Sequence, residues 1–153
     1  MAEASLGDHM NDWEKDFSRR MESLHAQSAT CLERFLQEDL QAAFAAVTNF
    51  LSQWKFQTST PQTQAGRRAF KFALTEDAYV IVTFRLDGLD AVECESEYSL
   101  PMVGRTPGTR WTSSLRKVDR QWGDACFQKA LDGLLAKLSE ADLKKKSREP
   151  VLV

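Results

Sequence analysis

The residue types that carry most enzyme chemistry are few in this sequence, and none falls in a recognised pattern. Two histidines are present, His9 and His25. His9 stands in a short polar start. His25 follows Leu24 in a charged stretch, with no histidine or cysteine at metal-ligand spacing and no serine or cysteine in a nucleophile motif beside it. The three cysteines, Cys31, Cys94 and Cys126, are far apart, odd in number and without CxxC spacing, which argues against a disulfide framework or a zinc ribbon. Each falls on an apolar face of an expected element and so reads as a small buried hydrophobe in a reducing compartment. No glycine-rich phosphate loop of either the GxxxxGK or the GxGxxG type occurs.

Two charged groupings remain. Glu93, Glu95 and Glu97 alternate along a stretch of strand period. Such a row could hold a divalent cation or work as acid and base, but it is equally the wet face of an antiparallel strand. Arg105, Arg110, Arg116, Lys117 and Arg120 form a basic run interrupted by a single acid, Asp119, with Trp111 inside it. Arg105, Arg110, Trp111 and Arg116 are therefore candidate contacts for an anion or small ligand. A nucleic-acid surface is weighed against by the net charge of −2 and by the lack of any RNA- or DNA-binding motif. The alternative is that these arginines pair with the glutamate row. No catalytic residue, cofactor or metal site is expected, and the chain reads as a non-enzyme.

The element around which the rest is arranged runs from Asn11 to Trp54. It contains no proline or glycine, and Asn11 or Asp12 is a plausible N-cap with acids in the first turn. Trp13, Phe17, Met21, Leu24, Leu32, Phe35, Leu40, Phe44, Val47, Leu51 and Trp54 recur at steps that mark one face of a helix. The stripe is narrow up to Arg34 and wider from Leu36, as a coiled-coil seam differs from a face packed on a sheet. Straight, this helix would measure about 65 Å at 1.5 Å per residue, roughly twice the width of a domain this size. Its first half, residues 11–35, must project or fold back near Gln37 to Asp39, and the lack of a helix breaker favours projection. Trp54 and Trp122 read as core anchors.

From Lys55 the period becomes two. Strands are expected at Lys55 to Thr60, Arg68 to Leu74, Ala78 to Leu86 and Asp90 to Tyr98, with Pro61 to Gly66 a polar loop. Parity sets Phe72 opposite Val80 and Phe70 opposite Val82. At Asp87-Gly88, pairing Leu86 with Asp90 through a three-residue loop or bulge keeps Phe84, Val92 and Cys94 on one face, whereas a two-residue turn would put glutamates there. Leu100 to Thr112, with two prolines and two glycines, reads as an irregular loop, and Trp111 to Leu115 as at most a short fifth strand. Val118 to Leu138 returns to helical period, with Gly123 and Gly133 inside it, where close packing would account for them. Residues 1–10 and the basic tail 141–153 are expected to be disordered.

The expected fold is α+β and two-layered: a long N-terminal helix, a four-stranded antiparallel meander, and a C-terminal helix on the same sheet face. The single domain spans 11–140. The absence of an apolar leader or membrane span makes a cytoplasmic protein the expectation. The leading function is a protein–protein interaction module, chaperone- or adaptor-like. It would self-associate, as a homodimer for example, or bind a partner helix through Trp13, Phe17, Met21, Leu24, Leu32 and Phe35. A ligand-binding or enzymatic domain with its pocket between the sheet and the 100–112 loop is the second reading. A regulator touching nucleic acid through 105–120 is the third.

Overall fold

In the computed structural model, residues 11–148 are described, with side chains through residue 140. The expected disorder at residues 1–10 and at the last residues of the tail lies outside the described residues. The element order is α1 (Asp12–Arg34), a π-helical segment (Phe35–Leu40), α2 (Gln41–Leu51), a 3-10 turn (Ser52–Trp54), five strands and α3 (Arg120–Arg148). The strands are β1 (Gln57–Gln64), β2 (Arg67–Ala73), β3 (Tyr79–Asp87), β4 (Ala91–Leu100) and β5 (Gly104–Ser114).

The helix does not break at Gln37 to Asp39. Backbone angles stay right-handed helical through both joints of the π segment. This segment inserts a wider turn between the two halves, which lets Phe35, Leu36 and Leu40 all reach the core. The helix ends at Lys55, which takes the left-handed conformation of a C-terminal cap (φ 62°). At the other end Asn11 and Glu14 form a capping box: Glu14 N–H donates to Asn11 Oδ1 at 2.8 Å and Asn11 N–H to Glu14 Oε1 at 3.0 Å.

The sheet is an antiparallel meander in the order β1-β2-β3-β4-β5, five strands rather than four. The stretch expected to be a loop, Leu100 to Thr112, is largely β5, paired with β4 from Leu100↔Gly104 to Ala91↔Ser114. Its breakers are accommodated by position. Pro107 lies on an edge strand beside a bulge between Glu95 and Glu97, where a missing N–H costs little. Pro61 does the same on the opposite edge: β1 runs past it through a bulge between Ser59 and Gln62, so the expected polar loop shrinks to a tight turn at Ala65 and Gly66.

The β2–β3 pairing is as the parity argument requires, with Phe70↔Val82 and Phe72↔Val80. At the next turn the loop has three residues, Gly88 to Asp90, and the register is offset by two from the expected one. Asp87 pairs with Ala91, and Phe84 with Cys94 instead of Val92. An offset of two keeps every side chain on its expected face. It also places Gly88 where φ is +69° and sets Arg85 across from Glu93, which form an ion pair at 2.6 Å.

Both helices cover one sheet face. Phe44 packs on Phe70 (ring centroids 4.7 Å apart), Phe127 on Phe70 (5.2 Å) and Phe72 (5.4 Å), and Phe35 and Trp122 on Phe84 (6.4 and 5.9 Å). Each such ring taken fully out of water contributes roughly 1.5–3 kcal/mol. Gly133 permits the close approach of α3 to Tyr98, because a Cβ there would lie 2.1 Å from the phenol oxygen. Two expected core residues are not in it. Trp54 is 63% exposed, with Phe50 also exposed one helical turn before it, and Cys31 is exposed on the outer side of α1. The C-terminal helix continues to Arg148, so the expected frayed tail is helical through that residue.

Candidate functional site

The first half of α1 leaves the sheet. Its last ties to the domain are at Ser28, whose hydroxyl donates to the Leu89 carbonyl in the β3–β4 turn at 2.7 Å, and at Glu33, 3.7 Å from the buried Arg68 guanidinium. From Leu32 to Leu51 the apolar face turns to the core, and Leu32 and Phe35 are buried within the domain. This corrects the expected interaction surface, because these two residues are spent within the domain. Trp13, Phe17, Met21 and Leu24 lie beyond the tie. Trp13 is 66% exposed, Phe17 49% and Leu24 45%, and Met21 is partly covered. The Trp13 and Phe17 rings stack at 5.1 Å, which covers part of each but leaves their outer faces in water.

These four residues share their face of the helix with Ser28, Leu32 and Phe35, at spacings of three and four. The exposed stripe is thus the core-facing stripe continued past the sheet's edge for about four turns at 3.6 residues each. Charge lies to its sides, with Asp16 paired to Arg20 one turn on and 3.9 Å from Arg19. Ser28 was not singled out from sequence. The available signal was a hydroxyl standing in the seam between Leu24 and Leu32.

The other sequence candidates do not come together. Arg105 and Arg110 point to the outer face of the sheet and meet the glutamate row. Arg110 lies 2.6 Å from Glu95 and 3.8 Å from Glu93, and Arg105 lies 3.3 Å from Glu97. A hydrogen bond to Tyr79 and the Glu97 carboxylate raise the pKa of Arg105 still further, fixing it as a cation. Trp111 pairs with Cys94 and packs against the core on the opposite face, with the Lys129 ammonium 5.7 Å from its ring. Arg116 is exposed in the turn after β5. The glutamates and arginines therefore neutralise one another across the strands. Above Ala69, Ile81 and Thr83, the side chains of Arg67, Glu95, Glu97 and Arg105 rim an open depression of about 410 Å³. With residues 104–114 in a strand, no 100–112 loop stands over the sheet to close a pocket. Among the described residues, no group of three or more His, Cys, Asp or Glu is placed to hold a metal ion, and no helix is long and apolar enough to cross a membrane.

Cys94 and Cys126 meet inside the core, from β4 and α3. Burial, then the neighbouring Cys126 and the nearby Glu93 and Glu95, push the Cys94 thiol far above its ordinary range, so it stays protonated and inert. Compared with known protein families, curated proteins and solved structures, the chain matches none.

Proposed function

We propose that this protein is a non-enzymatic interaction module that buries the stripe Trp13, Phe17, Met21 and Leu24 against a helix, either of a second copy or of another chain. The observation that carries the reading is the exposure of three large apolar side chains, Trp13, Phe17 and Leu24, with the half-buried Met21 between them, in register on one helix face and at a distance from any core of their own. The projecting turns of α1 have only their capping box and local ion pairs to hold them, so covering the stripe would also stabilise the helix that carries it. The domain behind it serves as an anchor. The Leu89 tie and the Glu33–Arg68 pair fix the direction in which α1 leaves the sheet. Association would draw on roughly 25 cal/mol per Å² of apolar surface covered, before the cost of bringing two bodies together.

A photo-crosslinking amino acid at Phe17 or Leu24, introduced in cells, tests this. Adducts to protein are expected from those positions and not from Arg19 on the opposite side. If stripe positions give no more adduct than Arg19, the reading fails.

A further inference from the structure

We propose that a second copy of this chain covers the stripe, with the two α1 helices antiparallel and the two domains at opposite ends of the pair. The proposal rests on the reading above and names the occupant. Three observations select it.

The first is that the stripe and the sheet lie on the same side of the helix. Ser28 meets the β3–β4 turn on that side, and Leu32 and Phe35 meet the sheet just beyond. A parallel copy seated on Trp13 to Leu24 would continue along this side and run into the turn at Leu89. The α1 helix of an antiparallel copy has its capped first turn there instead.

The second is the free length. With the pair centred between Ser18 and Arg19, the first helical residue of one copy, Asp12, stands opposite His25 of the other, just short of the Ser28 tie. The exposed helix is as long as an antiparallel overlap can use.

The third is that the stripe is complementary to itself in this direction. About that centre, Trp13 comes level with Leu24 of the second copy and Phe17 falls within one residue of Met21, a large ring against an aliphatic side chain in each case. Along one edge Asp16 comes opposite Arg20, twice by symmetry. Since Arg20 already pairs with Asp16 in its own helix, the four groups form an alternating network.

Light scattering across a concentration series should show reversible association to a dimer. Phe17→Asp is expected to raise the dissociation constant at least tenfold, with the far-ultraviolet circular dichroism of the domain retained. Asp16→Arg alone should weaken the dimer, and the double swap Asp16→Arg, Arg20→Asp should restore it. Direction is read from spin labels placed singly at Arg19, Ala26 and Thr30 in a Cys31→Ser background. The axial separation of the two labels grows by about 3 Å for each residue moved from the centre, because the helices run oppositely at 1.5 Å per residue, so the label-to-label distance should increase in the order Arg19, Ala26, Thr30. Equal distances at all three positions, or a monomer at every concentration, would overturn the antiparallel pair. A monomer that still crosslinks to a different chain at Phe17 overturns the pair and leaves the interaction reading standing, whereas a monomer without such crosslinks removes both.

Discussion

At the scale of single residues, the two glycines of α3 do different work. A methyl at Gly133 would meet the rigid Tyr98 ring, 2.1 Å from its oxygen and 2.9 Å from Cζ. A methyl at Gly123 would meet only the end of the Leu40 side chain, at 2.9 Å. Gly133→Ala should therefore lower stability by about 1–3 kcal/mol through overpacking. Gly123→Ala should be near neutral, because Leu40 can turn aside and the helix gains up to about 1 kcal/mol. Urea denaturation of both variants checks the contrast. The cysteines separate in the same way. Native protein should react with a thiol reagent at Cys31 alone, and at Cys94 and Cys126 only in denaturant, as counted by mass spectrometry. Because folding holds the Cys94 thiol above its ordinary pKa of 9.0, its contribution to stability is complete below that pH and erodes as the pH rises past it. Chemical denaturation at pH values on either side of 9 reads the slope.

At the scale of elements, α1 changes character at Ser28, and substitutions should divide there. Phe17→Asp with Leu24→Asp touches no core and should shift monomer stability by less than about 0.5 kcal/mol. Leu32→Asp places a charge in the core and should cost several kcal/mol, enough to unfold much of the population. Thermal melts of dilute protein test both. The sequence made one side of this boundary plain. Steps of three and four from Trp13 to Leu51 specify the helix and its face, and alternation from Arg68 to Leu86 specifies two strands and which side of them is wet. It did not mark where the sheet begins to cover the helix, because Leu24 and Leu32 are the same residue type on the same face and differ only in what the fold brings to them. Nor did it mark β5. Pro107 and Gly108 break strands in the middle of a sheet, and only at an edge, beside the bulge where Gly108 approaches Ser96, do they fit. The arginines of that stretch looked like a site because their partners, Glu93, Glu95 and Glu97, lie on a neighbouring strand rather than nearby in sequence.

At the scale of the whole molecule, the sheet has two open edges, and they are guarded differently. β5 carries Arg105 and Arg110, charges that discourage a foreign strand. β1, Gln57–Gln64, has no charged residue and relies on Pro61 and its bulge. Pro61→Thr should leave the fold intact yet raise the rate of aggregation under mild heating, followed by turbidity, whereas the same exchange at Pro107 should matter less. The strand order has a kinetic consequence. Every strand pairs only with its neighbours in sequence, through turns as short as Ala65-Gly66, so the sheet can zip from hairpin to hairpin without closing a long loop. The distant meeting in the molecule is between the two helices, Phe35 and Phe44 with Trp122 and Phe127. That contact closes over the whole meander, so the meeting of the two ends of the chain, rather than the pairing of any strand, is the expected slow step of folding.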